Sequence, residues 1–265
     1  MDKTSLPMIG KDVLESLTMS MYDDSVSIYR EYIQNSADAI DKAISHGIIN
    51  KNDQAIHINI DSDQKSILIE DNATGIAQQD FKSTLQNVAV SRKTKGTDKG
   101  FRGIGRLGGV GYCDTLIFET SFKGESTKSV MVWNAKEFRD IINDHEQKEH
   151  AAIVIDQITN TYTEDAPAED HYFRVIMQNV TSSELLDRKN VELYLSMVAP
   201  VPYPVGFVFR SKIYDELKKE GLSIDEYKIF INGDLLTKPY TSSIYSDGKG
   251  RKEKYDDVFD LQFFK

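Results

Sequence analysis

The chain has 265 residues, 40% hydrophobic and 28% charged, which is a composition typical of globular proteins. Its formal net charge of −10 makes nucleic acid an unlikely partner because a broad basic surface is excluded, although a local basic patch is still allowed. Cys113 is the only cysteine and no apolar run approaches roughly 20 residues, so we expect a cytoplasmic protein without a disulfide framework, a cysteine metal cluster or a membrane partner.

The first long element that the sequence predicts is an amphipathic helix over residues 26–44. Its apolar positions recur three and four residues apart, at Val26, Tyr29, Ile33, Ala37, Ile40 and Ile44. Glu31, Asn35 and Asp38 share that spacing and lie within roughly 60° of one another on the opposite side of the helix. A solvated polar face is the simplest interpretation of these three side chains, and a binding face is the alternative.

Two strands are predicted next, at 55–61 and 66–70, and the turn residues between them indicate a hairpin. The second strand leads directly into residues 71–75, Asp-Asn-Ala-Thr-Gly. An acid at the end of a strand, before a glycine turn, can aim its carboxylate into a cavity. An ordinary Asx-turn uses the same residue types, so Asp71 alone does not decide between the two.

A helix over 78–88 is followed by the most unusual composition in the chain. Seven of the 16 glycines lie between Gly96 and Gly111, and six basic residues against one acid lie between Arg92 and Arg106. Glycines let backbone N–H groups approach an anion, and the cations complement its charge. We therefore predict a phosphate-binding lid, with a mobile surface loop as the alternative.

The rest of the chain predicts an alternation of strands and helices. Strands are expected at 114–122, 129–133, 151–158, 173–180, 205–209 and 227–231, and helices at 135–143, 182–198 and 214–220. Residues 160–170 are polar and suggest a long loop. Pro200, Pro202 and Pro204 mark a candidate domain boundary, so we expect one domain over 1–200 and the beginning of a second over 201–265. A strand-like segment at 257–264 lacks a closing element, which suggests that the natural chain continues.

Three of these pieces stand in order and together resemble the ATPase superfamily of DNA gyrase, heat-shock protein 90, sensor histidine kinases and MutL. They are Glu31-x-x-x-Asn35-x-x-Asp38-Ala39, residues 71–75, and the Gly-Phe-Arg-Gly-Ile-Gly-Arg-Leu-Gly run at 100–108. The chain looks nearest to the heat-shock protein 90-like bacterial ATP-binding proteins. The resemblance covers roughly residues 10–200 and implies an α+β fold, a two-layer α/β sandwich of the Bergerat type with a mixed sheet.

The resemblance also implies roles for single residues. Glu31 would be the general base that activates water, and Asn35 would ligate magnesium at the phosphates of ATP or ADP. Asp38 would reach the nucleotide through water, while Asp71 would accept a hydrogen bond from the adenine amino group. Gly75 would let the backbone approach the base. The lid over the phosphates would consist of Gly103, Ile104, Gly105 and Gly108, and Lys93 or Lys95 would reach the terminal phosphate.

Two departures from the family pattern are visible. Ala73 stands where a glycine is usual, which a small residue tolerates if its φ is negative. The strand at 173–177, which matches the family's adenine-side strand best, has no threonine at its start. Adenine contacts are then expected to depend more on Asp71 and water.

The resemblance favours slow, magnesium-dependent ATP hydrolysis, with lid closure that drives rearrangement in a chaperone-like or switch protein. The alternatives are a nucleotide-sensing module without turnover and a DNA-acting ATPase of the MutL or gyrase kind, which the net charge of −10 disfavours. A histidine kinase is disfavoured because that branch generally lacks the base that corresponds to Glu31. The resemblance also allows a homodimer, which would form through segments beyond this chain.

Overall fold

The computed structural model describes residues 10, 11, 14, 24–86, 105–144 and 150–240, with the backbone of two further strands at 243–245 and 252–254. The helices are α1 Ser27–Ser45, α2 Gln78–Gln86, α3 Ala135–Asn143, α4 Ala151–Ile158, α5 Ser183–Leu186, α6 Arg188–Val198 and α7 Arg210–Lys219, with a 3-10 helix at Gly105–Gly111. The strands are β1 Ile56–Asp61, β2 Ser66–Asp71, β3 Thr115–Ser121, β4 Thr127–Asn134, β5 Thr159–Asp165, β6 Tyr172–Gln178, β7 Ile229–Ile231, β8 Asp234–Leu235, β9 Ser243–Tyr245 and β10 Lys252–Lys254.

An eight-stranded mixed sheet organises the fold, in the order β5-β4-β3-β6-β2-β1-β7-β8. Its pairs are antiparallel except β1 with β7, which run parallel. The alternation of buried and exposed residues in β1 gives the sheet one inner face, which includes Ile56, Ile58 and Ile60. α1 packs against β2, the 3-10 helix and α6, so the fold is the expected α+β sandwich.

The outer face of the sheet carries charged side chains. Glu119 of β3 accepts from Arg174 of β6 at 2.7 Å and from Lys128 of β4 at 3.1 Å, and Arg174 also pairs with Glu70 of β2. These partly exposed ion pairs lie across neighbouring strands, where opposite charges add modest stability. The site must therefore be sought on the other face, where the helices pack.

Several predicted elements are correct in the described region. The hairpin of β1 and β2, the helix at 135–143 and the strands at the β3, β4 and β6 positions form as expected. α1 ends as expected at His46 and Gly47, whose φ is +69°. The described part of the chain contains no helix that is both long and apolar enough to span a bilayer.

The prediction of a strand at 151–158 is wrong, because these residues form α4. Ala151, Val154, Ile155 and Ile158 are the buried positions, and they follow the spacing of a helix. The β-branched residues of this segment favour a strand, but their period matches a helix, and the packing follows the period. The N-cap is His150, whose ring accepts from the Ala152 N–H.

The prediction of a loop over 160–170 is also wrong in its first half, where β5 pairs with β4. β5 is an edge strand whose residues are almost all exposed, so it lacks the apolar alternation that identifies a half-buried strand. The strand expected at 205–209 is absent, because Gly206 lies in a turn and Val205 is exposed. Asp187 caps a new helix, so the helix expected over 182–198 is divided into α5 and α6.

The predicted domain division after residue 200 stays a prediction. β7 and β8 lie beyond it in the sequence and yet belong to the same sheet as β1. Asn232 and Gly233 connect them with φ values of +49° and +88°, the positive values that a tight Asn-Gly hairpin turn requires.

Candidate functional site

Asp71 ends β2 on the inner face of the sheet. It lies directly opposite Phe173 of β6, and Thr120 of β3 lies opposite Phe173 in turn, so the three side chains form one row across three strands. Asp71 is only 2% exposed. It is thus a buried carboxyl group between the sheet and α1, where Ser36 of that helix contacts it.

Few groups compensate the burial of Asp71. Burial raises the pKa of its carboxyl from 3.8 to about 7, although hydrogen bonds from Ser36 of α1 and from the backbone of Ala73 lower it in part. The Ala73 N–H donates to Oδ1 at 3.2 Å. A carboxyl with so few donors can still accept a hydrogen bond from a ligand.

The turn after Asp71 approaches the end of β3 closely. Gly75 has a φ of +70°, and a Cβ atom there would come within 1.9 Å of the Ser121 carbonyl oxygen. The glycine is therefore required by the packing of this turn against β3, whether or not a base also lies near it. The φ of Ala73 is not positive, so an alanine is tolerated where the family usually has a glycine.

Side chains distant in sequence hold the same turn. The hydroxyl of Thr120 accepts from the Ile76 N–H at 3.0 Å and donates to the Tyr172 carbonyl at 2.6 Å. Nδ1 of His171 lies 2.7 Å from the Ala73 carbonyl oxygen. The start of β6 has no threonine, as the sequence indicated, and the nearby Thr120 uses its hydroxyl to fasten the turn.

The polar face of α1 is less exposed than a solvated face. Asp38 is only 5% exposed, while Glu31 and Asn35 are half-buried. Glu31 keeps 24% of its side chain exposed, and its Oε1 lies 3.5 Å from Nη2 of Arg30. The three residues therefore point toward the interior of the fold, with Glu31 the most accessible carboxylate of the set.

The 3-10 helix packs on the N-terminal half of α1. A Cβ atom on Gly105 would come within 2.3 Å of Oε2 of Glu31, and one on Gly109 within 2.6 Å of the Tyr32 hydroxyl. That hydroxyl accepts from the Gly109 N–H at 2.9 Å and donates to the Arg106 carbonyl at 3.1 Å. The glycine backbone thus lies directly against the helix. The role of this segment as a phosphate-binding lid stays a prediction.

A half-buried cation, Arg106, accompanies this contact. Burial lowers the pKa of the Arg106 guanidinium to about 10, and its Nε donates to the Leu85 carbonyl at 3.4 Å. Gly108 is buried in the 3-10 helix. Lys93, Lys95, Gly103 and Ile104 lie outside the described residues, so their predicted roles stay predictions.

The structure thus brings most of the described candidates to one helix and its neighbours. Glu31, Asn35 and Asp38 lie on α1, Asp71 contacts α1 through Ser36, and Gly105 contacts it at Glu31. The sequence interpretation missed Ser36, Tyr32, Thr120 and His171. A signal was available for Ser36, since it is a polar residue on the buried face of an amphipathic helix.

The residues of α1 also fit magnesium in chemical type. Carboxylate and amide oxygens, as in Glu31 and Asn35, are ligands that magnesium accepts, and this ion usually keeps several waters and takes further ligands from phosphates. Within the described ranges, no three His, Cys, Asp or Glu side chains are grouped as a metal site made by protein alone. A metal held here would therefore depend on a bound phosphate.

The chain is similar in sequence to known proteins over part of its length. The profile of the family described as "Histidine kinase-, DNA gyrase B-, and HSP90-like ATPase" matches residues 25–164, more than half of the chain. The chaperone protein HtpG of Buchnera aphidicola subsp. Baizongia pistaciae is 29% identical over 143 residues, 47% of this chain and 23% of that protein.

Two further chaperone proteins HtpG match shorter stretches. The protein from Clostridium acetobutylicum is 30% identical over 118 residues, 41% of this chain and 19% of its own length. The protein from Francisella tularensis subsp. novicida is 33% identical over 89 residues, 31% of this chain and 14% of its own length. The matches thus cover less than a quarter of each relative.

Proposed function

Because the chain belongs to the family of histidine kinase-, DNA gyrase B- and HSP90-like ATPases, we propose that it binds an adenine nucleotide with magnesium and hydrolyses ATP slowly. The observation that carries the proposal is the buried carboxyl of Asp71 at the end of β2, in contact with Ser36 of the helix that carries Glu31, Asn35 and Asp38. A buried acceptor with spare capacity suits the amino group of adenine and is poorly matched to the carbonyl oxygen that guanine has instead.

The other candidate residues have roles consistent with a nucleotide whose adenine contacts Asp71. Glu31, which keeps 24% of its side chain exposed, is the general base for the attacking water, and Asn35 is the protein ligand of magnesium, which supplies charge neutralisation at the phosphates. Asp38 contacts the nucleotide through water. Gly105 and Gly108 present backbone to the phosphates, and Gly75 lies beside the base.

We further propose that nucleotide turnover serves a chaperone-like role, because the matched relatives are chaperone proteins HtpG. Closure of the glycine-rich segment over the phosphates, rearrangement of a following domain and dimerisation belong to the same proposal. A nucleotide-sensing module without turnover is the second candidate. It is favoured by the start of β6, which lacks the threonine that the family usually has there and places Phe173 opposite Asp71.

Titration calorimetry with a non-hydrolysable ATP analogue and magnesium tests the binding step. Asp71→Asn should weaken binding about 10- to 100-fold, because a hydrogen bond to a charged acceptor is replaced by a mismatched amide. Asp63→Asn, in the exposed turn between β1 and β2, is the matched control and should bind like wild type. Equal affinities for all three proteins would overturn the assignment of Asp71, and no binding by wild type would overturn the proposed function.

Turnover separates the two candidate functions. ATP binding by the full-length protein without measurable phosphate release would select the sensing module. Release that depends on Glu31 would select the ATPase.

A further inference from the structure

His171 makes a contact that the resemblance to known ATPases did not suggest. It ends the loop between β5 and β6, and its Nδ1 lies 2.7 Å from the carbonyl oxygen of Ala73, 98 residues earlier in the chain. A carbonyl oxygen can only accept, so Nδ1 must carry the proton.

The contact lies at the centre of the turn that carries Asp71. Ala73 is completely buried, and its N–H donates to the Asp71 carboxyl while its carbonyl accepts from His171. One residue therefore links the imidazole to the candidate base-recognising carboxyl. Without the imidazole, the Ala73 carbonyl would lose its hydrogen bond and Ala73 could move. The Ala73 N–H, which helps to orient Asp71, would move with it.

The other contacts of the turn act elsewhere. Asn72 is fastened on the β1 side, where its side chain accepts from the Ala55 N–H at 2.9 Å and donates to the Asp53 carbonyl at 2.8 Å. Thr120 holds the far end, at Ile76. His171 is thus the described side chain that fixes the middle of the turn from the β6 side.

We propose that His171 is a positioning residue for base selectivity: its Nδ1–H donates to the Ala73 carbonyl and fixes the turn that orients the Asp71 carboxyl toward an adenine amino group. The proposal rests on the proposed adenine-nucleotide function and deepens it. Adenine presents a donor to Asp71 where guanine presents an acceptor, so discrimination depends on how narrowly the carboxyl is oriented. If the hydrogen bond from His171 to the Ala73 carbonyl is lost, the Asp71 carboxyl can rotate. This rotation weakens adenine binding more than guanine binding.

The test compares ADP and GDP affinities by calorimetry, with magnesium, for wild type, His171→Ala, His171→Asn and His171→Gln. His171→Ala should bind ADP about five- to tenfold more weakly, with a smaller loss for GDP, so that the ratio of the two affinities falls. His171→Asn places an amide N–H near the position of Nδ1 and should restore most of the ratio. His171→Gln places its amide farther out, near the position of Nε2, and should not.

His57→Ala is the matched control, since His57 is exposed on the outer face of the sheet, where it stacks on Phe230. It should leave the ratio unchanged. An unchanged ratio in His171→Ala, or an equal loss for both nucleotides that His171→Asn does not restore, would overturn the role of His171. If His171→Ala does not fold, the ratio of ADP to GDP affinity is compared between His171→Asn and His171→Gln. Equal ratios in these two variants would overturn the role of His171. Failure of wild type to bind ADP would instead overturn the proposed function.

Discussion

The two ends of the proposed nucleotide site, the base end at Asp71 and the phosphate end at Glu31, are built in different ways. At the base end, Asp71 is 2% exposed and is held by Ser36 and the Ala73 backbone, in a turn that Thr120 and His171 fasten. At the phosphate end, Glu31 keeps 24% of its side chain exposed. The group packed against it is the backbone of Gly105.

This difference separates two tasks. A buried acceptor held from several directions is already oriented before a ligand arrives, so little reorganisation opposes binding. An accessible carboxylate beside glycine backbone can meet both a water molecule and an anion. Selectivity should therefore depend on the Asp71 end, and turnover on the Glu31 end.

The largest expected effect is on ATP turnover, when Glu31 at the phosphate end is replaced. Glu31→Gln keeps the size of the side chain but removes the base, so ATP turnover should fall by about 10²- to 10⁴-fold while nucleotide affinity stays within a few-fold. Phosphate release and calorimetry on the same full-length preparation measure the two quantities. Glu169→Gln, at an exposed site, is the control. Turnover that persists in Glu31→Gln would exclude Glu31 as the base.

The phosphate end was also the easier end to predict from the sequence. Glu31, Asn35 and Asp38 lie on one continuous helix, so their spacing alone places them together. The base end is assembled from segments distant in the chain. His171 meets Ala73 only because β6 pairs with β2, and no local pattern encodes that pairing.

The fold shows the same division. Elements with a clear period and local caps, such as α1 and the β1–β2 hairpin, were predictable. α4 and β5 were not, because one combines strand-forming residues with a helical burial period and the other is an edge strand without a buried face. Tertiary packing decides such segments.

A second prediction uses the pH dependence of stability to test the burial of Asp71 at the base end. Because the pKa of Asp71 is raised from 3.8 to about 7, the folded protein binds a proton more tightly than the unfolded chain does. Its contribution to stability is therefore greatest at low pH and falls as the pH rises from about 4 to 7, by up to ~4 kcal/mol. Urea unfolding across this range should show a smaller decline in Asp71→Asn than in wild type. An identical profile in Asp71→Asn would contradict the prediction.

A third prediction sharpens the picture of the turn at the base end. Gly75→Ala meets both a φ of +70° and the Ser121 carbonyl oxygen, so it should destabilise the fold by about 3 kcal/mol or more and weaken ATP binding. Gly47 is a close control, because its φ is +69° but open space surrounds it. Gly47→Ala should cost only about 1 kcal/mol and leave binding intact. Equal losses for the two variants in urea unfolding would mean that the contact with Ser121 is unimportant.

The smallest expected effect tests whether the 3-10 helix belongs to the phosphate end. Tyr32→Phe removes the acceptor of the buried Gly109 N–H, and Tyr29→Phe removes a comparable buried bond, the 2.7 Å contact of Tyr29 with the Leu185 carbonyl. Each variant should lose about 1–2 kcal/mol in urea unfolding. Only Tyr32→Phe should also bind ATP a few-fold more weakly, because its bonds position glycine backbone beside Glu31. Equal ATP affinities for the two variants would instead assign the Tyr32 contact to stability alone and would confine the phosphate end to α1.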